Sequence, residues 1–168
     1  MVDDLAPNCL DALIGLPLAV AYLAADMRTL GFGALRERPI GFGPRKGEMG
    51  LTGTHALHIQ CSWRLRDRAG VVTGSDDLFV YGGDDDTPAG WHYEQGHSLQ
   101  TIRMAQIVES HPTVLAATVE PMTGDFRIDL THELILEAFP TTNGTRFENW
   151  RFFAFDSEDD HIVSGSNL

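Results

Sequence analysis

The sequence predicts an α+β domain that is mainly β: two pseudo-repeated antiparallel β-meanders, about eight or nine strands in all, joined by one connector helix. Three observations carry this reading. The first is self-similarity. Trp63-Arg64-Leu65, a short turn and Val71-Val72-Thr73-Gly74-Ser75-Asp76 are echoed by Trp150-Arg151-Phe152, a longer turn and Ile162-Val163-Ser164-Gly165-Ser166-Asn167. The second is the alternation of apolar and polar residues along these segments, which is the period of a strand with one wet face. The third is one apolar stretch between the halves, opened by Ser98 as a cap and stopped by Pro112.

In chain order, the apolar run over residues 13–24 reads as a buried strand, and 25–32 as its neighbour. Gly31 to Gly53 reads as a long loop, with seven glycines and the bases Arg36, Arg38, Arg45 and Lys46. Residues 54–65 form the next strand, placing Leu57, Ile59, Cys61, Trp63 and Leu65 on the core face. Ala56, His58, Gln60, Ser62 and Arg64 take the other face. Asp67-Arg68-Ala69-Gly70 has the composition of a hairpin loop and leads into a strand over 71–81. A second long loop, Gly82 to Gly96, precedes the helix, whose apolar residues are Leu99, Ile102, Ala105, Ile107 and Val108.

The second half supplies strands over 112–120, 124–130 and 133–139, and a hairpin over 148–168 with Asp156 to Asp160 at its turn. Leu134, Leu136 and Ala138 face inward there, Glu133 and Glu137 outward. His55 aligns with His132, and Asp26-Met27-Arg28 with Asp125-Phe126-Arg127. The offset between halves grows from 77 at the histidines to 87 at the tryptophans and 91 at the glycines, which puts extra residues in loops of the second half. The chain is thus expected to be one domain over 1–168, with pseudo-repeat halves 10–82 and 108–168 and a connector over 83–107.

Bulk properties narrow the function classes. A chain of 168 residues fits one domain, since domains cluster near roughly 100 to 200 residues. A formal net charge of −12 repels phosphate backbones and disfavours nucleic acid as a partner. The charge is uneven: residues 28–68 hold eight bases and three acids, the remainder four bases and twenty-one acids. Folding is expected to bring these arginines against the acids as surface pairs, with Arg64 and Arg151 crossing to the outer face near acids such as Glu137. Cys9 and Cys61 make no disulfide framework, which points to a reducing, cytoplasmic setting. The run Leu13 to Ala25 follows Asp3, Asp4 and Asp11, is interrupted by Gly15 and Pro17, and is too short to span a bilayer. A membrane is not expected.

Candidate chemistry is sparse. His55, His58 and Cys61 have the residue types of a zinc site, but on an extended strand His58 points away from the other two, so no metal is expected. Asp84-Asp85-Asp86 offers hard oxygen ligands without the spacing of a calcium loop, which favours a solvated turn. Trp91-His92-Tyr93 follows that turn and has the composition of a ligand wall or a protein hot spot, against the plainer reading that it anchors the loop. His92 and His97 are of the residue type that serves as a general base, yet no Gly-x-Ser-x-Gly, Walker or His-Glu-x-x-His pattern accompanies them. Gly31-Phe32-Gly33 and Gly41-Phe42-Gly43 lack the following helix of a dinucleotide site. No catalytic residue and no cofactor are assigned.

At Ala56-Leu57-His58-Ile59-Gln60-Cys61-Ser62-Trp63-Arg64 and at Val72-Thr73-Gly74-Ser75-Asp76-Asp77-Leu78 the chain resembles a group of uncharacterised bacterial proteins of unknown function. The resemblance extends over the connector and the Leu136 to Phe153 segment. It implies no activity and carries no site residues.

The leading expectation is a non-catalytic protein-binding module with a basic partner, immunity-like in that it would cover the partner's active site. Its contact residues would be Asp84, Asp85, Asp86, Trp91, His92 and Tyr93. The alternative is a small enzyme or small-molecule binder with a pocket between the halves, lined by Trp91, His92 and the Gly31 to Gly53 loop. A third reading is a homodimer through the strand Ser164 to Leu168.

Overall fold

The computed structural model describes residues 5–41, 45–142, 146–157 and 161–166. It is mainly β, with one α-helix and antiparallel pairing throughout. The strands are β1 (Leu18–Ala24), β2 (Met27–Phe32), β3 (Arg36–Pro39), β4 (Met49–Thr52), β5 (His55–Ile59), β6 (Ser62–Arg66) and β7 (Val71–Gly74). After helix α1 (Leu99–Glu109) come β8 (Val114–Val119), β9 (Phe126–Leu130), β10 (Ile135–Phe139), β11 (Arg146–Ala154) and β12 (His161–Ser166). The described residues thus hold twelve strands rather than eight or nine. One sheet has the order β1-β2-β5-β11-β12, a second β7-β6-β10-β9-β8, and β3-β4 stands as a separate hairpin.

The two five-stranded sheets are each built from both halves of the chain. Each half donates three strands to one sheet and two to the other, so neither half could close a core alone. The first half crosses from one sheet to the other inside the expected strand 54–65. That span is two strands, because at Gln60 and Cys61 both backbone amides donate to the Asn149 carbonyl, at 2.8 and 3.0 Å, and the chain passes from the first sheet to the second. Leu57 and Ile59 therefore line one sheet and Trp63 and Leu65 the other, while Cys61 is half-buried between them.

The two sheets face each other across one core, from Leu30, Phe32 and Ile59 on one side to Leu65, Ile128 and Leu136 on the other. Trp63 and Trp150 are both buried, 4 % and 0 % exposed, and Trp150 donates its indole N–H to the Gly124 carbonyl at 2.7 Å. Leu134, Leu136 and Ala138 are buried as expected. β1 and β8 meet at their first residues, where Pro17 bridges Thr113. α1 packs against β1 and β7, one edge strand of each sheet. Its N-terminus follows the sequence: Ser98 Oγ accepts from the Thr101 amide at 3.1 Å.

Other boundaries move for local reasons. Within 13–24 the strand starts only at Leu18, because Gly15 turns with φ of 86° and Asp11–Leu13 is a short 3₁₀ turn that still buries Leu13. The Gly31 to Gly53 segment is not structureless: β3 and β4 pair from Arg36 opposite Thr52 to Pro39 opposite Met49. The span 71–81 leaves strand geometry after Gly74 and becomes a 3₁₀ turn over Ser75–Phe79, where the Thr73 hydroxyl donates to Asp77 at 3.0 Å.

Two alignments of the halves also shift. Leu57 pairs with Leu30, and Leu136 with Ile128, so Leu57 corresponds to Leu136 and not to Leu134. By the same register Arg28 corresponds to Phe126, not to Arg127. His55, whose ring stacks on Phe152 and lies 2.9 Å from the Thr54 hydroxyl, has no counterpart in His132, which is exposed in a turn. Glu158, Asp159 and Asp160 of the expected acidic turn, and Asn167 and Leu168 at the end of the last strand, lie outside the described residues.

Candidate functional site

The six residues singled out from sequence all fall on one excursion, residues 82–97, between the 3₁₀ turn after β7 and the start of α1. Its two ends are clamped together. Gly82 N–H donates to the His97 carbonyl at 2.8 Å, Leu99 N–H donates to Val80 O at 2.7 Å, and Tyr81 bridges Ser98. A side chain at Gly82 would place its Cβ 2.7 Å from Leu99 Cα, so this close approach requires glycine.

Inside the excursion an aromatic cluster forms. Trp91 N–H donates to Pro88 O at 3.0 Å and its indole N–H donates to Gly96 O at 2.9 Å. His92 caps the 3₁₀ turn Tyr93–Gln95: its Nδ1 accepts from the Glu94 amide, and its own amide donates to Gln95 Oε1 at 3.2 Å. Tyr93 lies edge-on to Phe79 with 5.5 Å between ring centroids, and His92 lies 4.4 Å from Tyr93. Tyr81 lies edge-on to Trp91 at 5.4 Å. Phe79 is 63 % exposed and Val80 46 %, so apolar surface stands in water beside these rings.

The electrostatics are one-sided. Residues 69–102 contain six acids, Asp76, Asp77, Asp84, Asp85, Asp86 and Glu94, and no lysine or arginine. Asp84, Asp85 and Asp86 are exposed on the approach to Trp91. Glu94 sits 3.7 Å from His92 Nδ1, an ion pair only when the imidazole is protonated. Among the described residues, no three His, Cys, Asp or Glu side chains converge as metal ligands.

The structure thus brings Trp91, His92 and Tyr93 together and adds three residues that sequence reading left in a strand, Phe79, Val80 and Tyr81. The signal for them was present, since a Phe-Val-Tyr run ending in Gly82-Gly83 is apolar without an alternating partner. Away from this surface, a cleft of about 230 Å³ is lined by Arg66, Asp67, Arg68, Asp129, Leu130, Glu133, Leu134 and Ile135. It involves neither Trp91, His92 nor the Gly31 to Gly53 segment.

No family model, no curated protein and no solved structure matches the chain. Among the described residues, no helix is long and apolar enough to cross a membrane.

Proposed function

We propose that the chain is a non-catalytic protein-binding module and that the aromatic excursion, Phe79 to His97, is its contact surface for a basic partner. The observation that carries this is a group of aromatic side chains held by their own loop's hydrogen bonds, with Phe79 63 % exposed, in a stretch whose only charges are negative. Aromatic residues fixed before binding lose little rotamer freedom on contact, which is why they concentrate at interface hot spots. Six surrounding carboxylates would steer a cationic protein to the site and set its orientation. An immunity-like role, in which the acidic face covers a partner's cationic active site, is the most specific form of this reading.

Co-purification from the native host followed by mass spectrometry tests it. The expected result is a stoichiometric basic protein that is lost from Phe79→Ser and from the combined Asp84→Asn, Asp85→Asn, Asp86→Asn variant, with both variants folded by circular dichroism. A partner that survives both variants, or none in repeated attempts, overturns the proposal.

A further inference from the structure

The core holds a charge that the fold does not neutralise. Arg28 shares the face of β2 that carries Leu30 and Phe32 into the core, and it is 2 % exposed. Its Nε donates to Gln100 Oε1 at 3.0 Å, and one of its terminal nitrogens donates to the same oxygen. Among the described residues no carboxylate pairs with it, and desolvation alone pushes its pKa down to about 10, so it stays cationic at neutral pH. A buried cation facing only a neutral amide is an expensive arrangement. The architecture does not need it, because the matching position of the other half is Phe126, packed edge-on against Trp150 at 5.6 Å.

Geometry indicates what the guanidinium lacks. Its two parallel donors fit the two oxygens of a carboxylate, and here both crowd onto one amide oxygen. The occupying group is carried on α1, which lies across the edges β1 and β7 and fully buries Gln100 and Met104, one turn apart, with Ile107 and Val108 partly buried against the core. The Gln100 amide nitrogen holds the helix down through Gly74 O and Ser75 O, at 3.0 and 3.2 Å. A helix at the periphery of the two sheets opens at lower cost than the central strands beneath it.

We propose that Arg28 is the anion-recognising residue of a ligand site closed by α1, and that the ligand is a monocarboxylate with an apolar body. The carboxylate takes the place of the Gln100 amide head on the guanidinium, the apolar body lies against the core residues beside Arg28, and α1 moves outward with the displaced side chain. A dianion or phosphate suits the site less well, since one buried cation balances one charge. Arg28 and Gln100 are not part of the protein contact surface proposed above, and the ligand site does not rest on that reading.

The test uses the intact chain and two matched probe pairs. Octanoate is expected to raise the thermal midpoint of the native chain at a concentration at least tenfold below that needed by octanamide, and to leave Arg28→Met unmoved. In Gln100→Ala, which strips the guanidinium of its partner, propanoate is expected to restore the lost midpoint where propanamide does not. Following the Arg28 Nε–H resonance by NMR during the octanoate titration keeps the proposal falsifiable should Arg28→Met fail to fold. Equal effects of acid and amide, an equal shift in Arg28→Met, or an unmoved Nε–H signal would each overturn it.

Discussion

Across the outer face of the second sheet one row of opposed residues reads Thr118, Arg127, Glu137, Arg64, Gly74; the matching row of the first sheet reads Tyr22, Thr29, His58, Arg151, Val163. In the second, Arg64 stands opposite a carboxylate and bonds it at 2.7 Å, and Arg66 adds a further bond to Glu137 at 3.1 Å. In the first, Arg151 stands opposite His58 and turns instead to Glu148 at 2.6 Å. His58 is 8 % exposed and edge-on to Phe153, and the buried Thr29 hydroxyl has no hydrogen-bond partner among the described residues. Only the first half carries the β3–β4 hairpin, which leans on its sheet through the Tyr22 hydroxyl donating to Leu51 O and through Arg36 and Arg38 on Asp156. The same strand plan therefore carries an ion-paired row on the second sheet and, on the first, a row in which His58 and Thr29 are buried.

The largest test of the comparison concerns what the halves share. Trp63→Ala and Trp150→Ala should each cost about 3–5 kcal/mol, the usual loss for a buried tryptophan. Trp150→Ala should be the more severe by about 1 kcal/mol, because it also leaves the Gly124 carbonyl without its indole donor. Urea unfolding measures both, and a Trp63→Ala cost below about 1 kcal/mol would break the equivalence of the two positions.

Next in size is the position at which the cores differ. Gln100→Ala should destabilise by about 2–4 kcal/mol, since it leaves a buried guanidinium unpartnered, whereas Arg28→Met should change stability by less than about 1 kcal/mol. Equal losses in the two variants would mean that Arg28 is an ordinary structural residue, no different in kind from Phe126.

Much of this plan was legible in the chain. Alternation placed Leu136 and Ala138 in the core and set Arg64 against Glu137, and the tryptophan echo pointed to two buried equivalents. What alternation cannot register is a slip of two residues, because an even shift keeps every side chain on its face. The histidine alignment failed for that reason: Leu57 matches Leu136 while His132 sits in a turn. The break at Gln60-Cys61 was hidden because it depends on a carbonyl 88 residues away, that of Asn149. Arg28 was read as surface because a base on a strand usually is, and only the helix crossing above it buries the guanidinium. Tyr93 and Trp91 were found by composition, but Phe79, the partner of Tyr93, was assigned to a strand that ends five residues earlier.

The acid stability of the two faces should separate. Burial lowers the His58 pKa from 6.5 to about 4, so the fold favours the neutral ring. That contribution is complete above pH 6.5 and disappears as pH falls from 6.5 towards 4, a loss of roughly 2–3 kcal/mol. For Glu137, burial raises the pKa but the hydrogen bonds from Arg66 and Arg64 outweigh it, and the net shift is downward from 4.5. Its contribution is intact above 4.5 and fails only below it. Urea midpoints between pH 7.5 and 4 should therefore fall early in the native chain and fall distinctly less in His58→Gln, where the remaining early fall belongs to His55, whose pKa burial also lowers. An unchanged early fall in that variant would assign the acid sensitivity elsewhere.

The smallest effect lies where the halves diverge in length. Between β2 and β5 the first half inserts its hairpin, whereas β9 and β10 are joined by the tight turn Thr131 to Leu134, closed by Leu130 N–H to Leu134 O at 2.8 Å. Its central residues, His132 and Glu133, have φ of 62° and 60°, the left-handed pair that such hairpin turns normally give to Asn-Gly. A non-glycine residue held there costs on the order of 1 kcal/mol, and the exposed Arg68–Glu133 pair at 2.5 Å recovers little of it. His132→Asn with Glu133→Gly should therefore stabilise the chain by about 1 kcal/mol, raising the urea midpoint without changing its slope. Should the midpoint fall instead, the Glu133 side chain contributes more to the cleft it lines with Arg68 and Leu134 than an exposed ion pair does, and the turn of the second half would be a feature in its own right rather than the short form of the first half's hairpin.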